Sequence, residues 1–442
     1  MGTFFQLCLV GAGLLAVATA QSAVPRALVS RPLPAAAFVE AYVDQGDETG
    51  FIGDRYTLYV STFNPINPAN DPKYMLRGLG RNFSDIANWE LEVIDRTSPW
   101  PNNPDQIPFE VFNTSAIIWT SGFLVPPKTH GRLEIYDTRQ NPPTGPMNIA
   151  ALDRSDDWSY HRVLWKDMDG DGDLDALTAR FFKPILGATK KQLVWLENPG
   201  LPIDITPILT GWLQHIIHED GADVHFRNIK LPSGGQEYDV IIAAEFFNER
   251  LMLYYSLDGK WTDWSQVRTI PIDTTVGQTF DVYVYDFNKD GKDDILISAY
   301  NHTRGFVYAY EIPENFISGQ FVKHTLADEF IANTIIGGQA MTPGSPKPFY
   351  PTKAYEEETL PGGGKRKPYV LLSGDDDGKH YILEPVSDDP TNWTYNKHVL
   401  VDTERTTVGK FAVADFDGDG YTDIVAAGYT SGTLYAFTYA PE

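Results

Sequence analysis

The sequence predicts an all-β fold, specifically a seven-bladed β-propeller, and three observations lead there. Short β-rich runs bounded by Gly, Pro, Asn and Asp recur along the chain, with no long helical periodicity and no linker. An aspartate-rich phrase is written three times, as "DMDGDGDLD" from Asp167, "DFNKDGKDD" from Asp286 and "DFDGDGYTD" from Asp415. Their starts lie 119 and 129 residues apart. Each gap is close to twice a repeat of ~60 residues, so a degenerate unit is expected midway.

The elements follow in chain order. Residues 1–20 carry an apolar run from Phe4 to Val17 and then Ala18-Thr19-Ala20, a small-x-small pattern that reads as a secretory signal peptide. The run is too short for a membrane span, and no other stretch approaches one, so no transmembrane segment is expected. Cys8, the only cysteine, lies inside it, which leaves the mature chain without thiols or disulfides. Residues 21–45 are Pro/Ala-rich and read as an unstructured lead-in; residues 46–442 read as one propeller domain.

Within that domain "DRYTLYVSTFN" (Asp54–Asn64) with "WELEVID", and "AIIWTSGFL" (Ala116–Leu124) with "GRLEIYD", supply two weakly marked units. The segment His225–Tyr255 repeats the strand–turn–strand plan in the first gap. In the second gap Lys367–Pro385 reads as the middle and outer strands of another unit. With the three aspartate units this makes seven, and radial closure would leave only short, protected sheet edges. An early strand is expected to pair with the last unit, "GTLYAFTY". Six or eight blades, or two stacked sandwiches, remain as alternatives.

Alternate carboxylates in a tight loop are what calcium takes, with six to eight oxygens at about 2.3–2.6 Å. Positions 1, 3, 5 and 9 are Asp167, Asp169, Asp171 and Asp175; then Asp286, Asn288, Asp290 and Asp294; then Asp415, Asp417, Asp419 and Asp423. Glycine at position 6 permits the turn, and the backbone carbonyl at position 7 (Asp173, Lys292, Tyr421) adds a ligand. Structural Ca²⁺ is therefore expected in three blades, and no organic cofactor. The order is unlike an EF-hand, since no glutamate stands at position 12 and β-rich runs follow.

The motif D-x-D/N-x-D-G-x-x-D after an aromatic-rich strand resembles the FG-GAP/VCBS repeat family, including an outer-strand phrase, here "LVWLENPG" (Leu193–Gly200). The resemblance implies calcium-braced blades like those of integrin heads and fungal lectins, and no particular activity.

The net charge of −24 argues against nucleic acid or an anionic membrane surface as partner. Sequons at Asn82, Asn113, Asn301 and Asn392 fit glycosylation on a secretory or extracellular route. Aligning the repeats on the aspartate loops places His161, Arg162, His225, Arg227, Phe280, Asp281, Tyr283 and Lys410 toward the mouth of the central channel. Such a ring suits a polar aromatic or carbohydrate ligand and proton movement. His161 and His225 also read as satisfied polar residues at strand starts, Arg162, Arg227 and Lys410 as charges that balance nearby acids, and Asp281 as a turn cap. No Ser-His-Asp order, P-loop, Rossmann glycine pattern or HExxH is legible.

Two functions follow. Four units without the acidic loop favour one site per molecule over a sugar site repeated in every blade. Length, leader and eroded repeats resemble the fungal hetero-Diels–Alderase family of tropolone–sesquiterpenoid pathways. That resemblance implies dehydration of a hydroxymethyl tropolone to a quinone methide, which adds across an alkene of a humulene-type terpene. His161 or His225 would be the acid, and Arg162, Arg227 or Lys410 would bind the oxygens. Asp281 completes the polar set, and Phe280 and Tyr283 form the wall. The alternative is a secreted, calcium-dependent glycan-binding or adhesion propeller.

Overall fold

The described residues of the computed structural model are 22–45, 50–64, 71–123, 130–150, 158–184, 186–200, 211–333 and 340–442. The signal segment, residues 1–20, lies outside them. Among the described residues seven antiparallel sheets follow one another along the chain, each with four strands in sequential order, apart from an altered edge on the last. The strands nearest the centre are Ala36–Val43, Pro101–Ile107, Ser159–Lys166, His225–Ser233, Gln278–Tyr285, Pro346–Phe349 and Phe411–Ala414. We number the blades 1 to 7 in this order.

Alternation of large apolar residues along each strand gives every blade two buried faces, and each face packs on a neighbour. The result is one apolar cluster at every blade interface. Blades 1 and 2 share Tyr59, Met75, Trp119 and Tyr136. Blades 3 and 4 share Leu177, Trp195, Ile241 and Tyr254. The ring shuts where Val39 and Leu58 of blade 1 pack with Val425 and Leu434 of blade 7. Seven sheets closed in this way make a seven-bladed β-propeller.

Residues 21–45 are not an unstructured lead-in. Ala36–Val43 is the inner strand of blade 1, and Arg26–Ala27 and Arg31–Pro32 pair with the last strand, Thr433–Thr438. Leu28 N–H donates to Ala436 at 2.8 Å and Leu33 N–H to Gly432 at 2.8 Å. Proline-rich composition suggested coil, but an edge strand tolerates Pro because one side of its backbone needs no partner. The expected closure on "GTLYAFTY" is thus made by the very segment read as lead-in.

Two strand assignments also shift by one place. Tyr369–Ser373 and Lys379–Pro385 are the second and third strands of blade 6, with Tyr395–Asp402 outermost. "LVWLENPG" falls on the third strand of blade 3, and Leu213–His218 lies outside it. Apolar content misled here, because the third strand is the more deeply buried of the two. No helix of the described residues is long and apolar enough to cross a membrane.

Candidate functional site

Inner strands all run in the same sense along the channel, so their first residues meet at one mouth and their last residues at the other. The aspartate loops follow the last residues. The aspartate loops and the first residues of the inner strands therefore fall at opposite ends.

The three loops share one hydrogen-bond pattern. Position 1 accepts the backbone N–H of position 6: Asp167 from Gly172 at 3.2 Å, Asp286 from Gly291 at 3.1 Å and Asp415 from Gly420 at 2.9 Å. Position 9 accepts from position 2: Asp175 from Met168, Asp294 from Phe287 and Asp423 from Phe416. Position 3 accepts from position 5 in each loop, at Asp169, Asn288 and Asp417. The backbone N–H of position 7 (Asp173, Lys292, Tyr421) returns to the carboxylate of position 5 (Asp171, Asp290, Asp419). The Lys292 side chain itself turns away to Glu314.

Carboxylate oxygens of Asp167, Asp169 and Asp175 lie within 4.8 Å of one another, as do those of Asp415, Asp417 and Asp419. Buried oxygens of Asp173, Asp286 and Asp423 have no hydrogen-bond partner. Burial pushes Asp294 and Asp423 up to about 8 and Asp175 to about 6. Orphaned, desolvated oxygens in an all-oxygen donor set fit a hard divalent cation.

At the other mouth the expected residues converge. His161 lies with its ring centre 6.2 Å from His225 and 6.4 Å from Phe280, and His225 lies 5.4 Å from Phe280. Asp281 Oδ1 is 3.3 Å from His225 Nδ1 and 4.0 Å from Arg227. The Arg227 guanidinium sits 4.3 Å from the centre of the Tyr283 ring. Lys410 reaches Glu40 Oε1 at 2.9 Å and donates to Asn103 Oδ1 at 2.9 Å. Asp105 accepts from Asn103 Nδ2 at 2.8 Å and from the Val163 N–H at 3.0 Å.

Five members of this layer were not read from the sequence: Glu40, Tyr42, Asn103, Asp105 and Lys347. They stand on blades 1, 2 and 6, which have no aspartate loop to fix the register. The signal available was alternation alone, as in "FVEAYVD", where Glu40 and Tyr42 share one face of the inner strand.

Electrostatics separates the roles. Burial pushes His161 down to about 3, helped by Lys410, and drives His225 well below its ordinary value. In both rings burial works against the charged imidazolium form. Burial pulls Asp281 up, but nearby His225, Lys410, Arg227 and Arg162 outweigh it and hold the carboxyl below its usual range. Beside His225, the counter-ions of Asp281 are Lys410, Arg227 and Arg162. Glu40 is likewise held down against burial, by Lys410 and Lys347.

Several buried atoms of this layer have no hydrogen-bond partner: His161 Nδ1, both nitrogens of His225, Arg162 Nε, Arg227 Nη1 and Asp281 Oδ2. Outward of them stands an aromatic wall. Phe38, Phe123 and Phe181 lie within 6.5 Å of the His161 ring. Trp100 is stacked between Phe63 at 3.9 Å and Phe123 at 4.6 Å. Trp100 holds this place in the left-handed region, φ 49°, where a bulky residue is strained. Sequence reasoning missed this wall, apart from Phe280, because Phe63 and Phe123 follow second strands and share no repeat phrase.

Two surface hollows of about 420 and 410 Å³ open elsewhere, one around Asn333, Asp377 and Arg405, the other around Tyr285, Tyr350 and Asp415. Neither gathers buried, unpartnered polar atoms as the channel layer does. Of the sequon asparagines, Asn82, Asn113 and Asn301 are exposed and Asn392 is half-buried.

No family model and no curated protein matches the chain. Two solved structures are similar to it in fold. One, described as the Dos1 propeller, is 8% identical over 91% of this chain and 78% of its own, with a TM-score of 0.45. The other, a glucose dehydrogenase, is 10% identical over 77% of this chain and 96% of its own, with a TM-score of 0.41.

Proposed function

We propose that this propeller is a single-site enzyme of secondary metabolism: a hetero-Diels–Alderase that dehydrates a hydroxymethyl tropolone and guides the product onto a humulene-type alkene. One observation carries the reading. His161 stands where orphaned polar atoms meet an aromatic wall, a place suited to a ligand with an oxygen-rich planar head and a hydrocarbon partner. Each inner strand contributes a different residue to the layer, so the site is built once per chain rather than once per blade.

The chemistry balances with these groups alone. Neutral His161 takes the enolic proton as the head binds, leaving the oxygen an anion, and returns that proton to the departing hydroxyl, so water leaves and a quinone methide forms. The oxadiene then adds across the alkene, forming one C–O and one C–C bond and closing a dihydropyran without any redox partner. Arg162 and Arg227 hold the head's oxygens, and His225 stands beside them with Nδ1 3.3 Å from Asp281 Oδ1. The wall of Phe38, Phe63, Trp100, Phe123, Phe181 and Phe280 orients the alkene and keeps out water, which would trap the intermediate. The three aspartate loops, at the far mouth, hold structural Ca²⁺ that ties the first two strands of blades 3, 5 and 7.

Incubation of the protein with a hydroxymethyl tropolone and humulene tests this. A single-enantiomer dihydropyran adduct is expected, reduced at least tenfold in His161→Asn. A racemic adduct at the uncatalysed rate would overturn the assignment.

A further inference from the structure

Among the described residues, the charged groups of the channel layer do not cancel. Taken strand by strand from blade 1 to blade 7, the titratable side chains are Glu40 and Tyr42, Asp105, His161 and Arg162, His225 and Arg227, Asp281 and Tyr283, Lys347, and Lys410. Three acids, Glu40 and Asp281 held down as carboxylates and Asp105 raised by burial, face four cations, Arg162, Arg227, Lys347 and Lys410. Burial disfavours the charged forms of both imidazoles and of Tyr42.

The placement of the surplus matters as much as its sign. Lys410 is spent on Glu40 and Asn103. Arg227 touches Asp281 only at 4.0 Å and leaves Nη1 without a partner, and Arg162 leaves Nε without one. Two guanidinium groups on adjacent blades therefore share the uncompensated charge, and a guanidinium matches paired oxygens better than any other side chain.

We infer that the ring takes its ligand as a planar oxyanion, the conjugate base of an acidic enol or aryl acid, held by Arg162 and Arg227. The inference rests on the site proposed above but not on the reaction proposed for it. An isolated buried cation is costly, so a monoanion entering this layer completes its charge balance. A neutral ligand of the same shape leaves the surplus in place. The Arg227 guanidinium itself lies 4.3 Å from the centre of the Tyr283 ring.

The test uses two acid probes, tropolone and salicylate, each lacking a leaving hydroxyl and therefore inert, beside their neutral methylated forms, 2-methoxytropone and methyl salicylate. Binding to the full-length protein is followed by calorimetry, and the ionisation state of bound tropolone by its absorption spectrum. At least one acid is expected to bind tenfold or more tighter than its neutral form. Bound tropolone should show the anion's spectrum at a pH where the free compound is mainly protonated. Arg227→Gln should weaken the acid tenfold while changing the neutral form less than twofold, and Arg162→Gln serves in its place if that variant does not fold. Equal affinity for acid and neutral forms, a neutral bound spectrum, or no binding by either acid overturns the inference. Preference for salicylate with no binding of tropolone would leave the oxyanion site standing and remove the tropolone reading.

Discussion

Asp281 Oδ1 stands 3.3 Å from Nδ1 of His225, with both side chains wholly buried. Asp281 Oδ1 also accepts the Val282 N–H at 2.8 Å, while its Oδ2 has no partner. A turn-capping role alone would not bury a carboxylate among Arg162, Arg227 and Lys410. Asp281 is instead the anion that lets these cations share one layer. Asp281→Asn keeps the shape and the backbone hydrogen bond but leaves the cations uncompensated. Loss of one partner of a buried ion pair costs about 3–5 kcal/mol. A fall of that size in urea-unfolding stability is expected; a variant as stable as the wild type would show that the layer is neutralised some other way.

Chelation separates the two ends of the molecule. If the loops at Asp167, Asp286 and Asp415 bind Ca²⁺ only when folded, excess chelator removes a stabilisation of roughly 2.7 kcal/mol for a site at a hundredfold its dissociation constant. The melting temperature should drop by several degrees and recover on adding Ca²⁺. Because the loops follow the ends of the inner strands, turnover measured well below melting should be nearly unchanged. An identical melting curve in chelator would remove structural calcium, and lost turnover at full fold would place calcium in the site.

What could be read in advance followed the aspartate loops. They fix a register, so His161, Arg162, Phe280, Asp281 and Tyr283 could be placed by counting back from Asp167 and Asp286, and Lys410 by counting back from Asp415. His225 and Arg227 came from the matching strand start. Glu40, Asn103, Asp105 and Lys347 escaped because their blades offer nothing to count from. Strand Ala36–Val43 escaped because a Pro/Ala-rich approach hides a strand whose partner lies at the far end of the chain. The charge state of the histidines was illegible for a different reason. Residue type suggests a proton carrier, but only burial sets its charge, and burial is a property of the closed ring.

Burial of imidazole has a measurable consequence for pH. His161 falls to about 3 and His380, whose Nε2 meets the Ala427 carbonyl, to about 4. Unfolded histidine titrates near ~6.5, so between that value and the folded ones the unfolded state binds more protons. Stability from these groups is complete above pH ~6.5 and is lost as the pH falls toward 4 and 3. Buried Asp223, pushed up to about 7, acts in the opposite sense, so the wild type alone gives a mixed curve. The difference between wild type and the His161→Asn/His380→Asn double variant isolates the imidazoles. That difference should shift in the variant's favour as pH drops from 7 to 4.5. A pH-independent difference would mean that these rings are hydrated or protonated in the fold.

Trp100 offers the most direct test of the apolar wall. Its ring is sandwiched between Phe63 and Phe123, and its backbone is held left-handed at φ 49° while its N–H donates to Asp71 Oδ2 at 2.8 Å. Each aromatic pair contributes about 0.5–1.5 kcal/mol beyond burial, so Trp100→Ala forfeits two such contacts and opens the mouth to water. The polar layer is untouched, and dehydration of the head should continue at an unchanged rate. Capture of the intermediate should change: the ratio of alkene adduct to water-quenched alcohol should fall roughly tenfold, read by chromatography at fixed substrate. Equal loss of both products would place Trp100 in head binding instead. An unchanged ratio would mean that the wall neither orients the alkene nor excludes water.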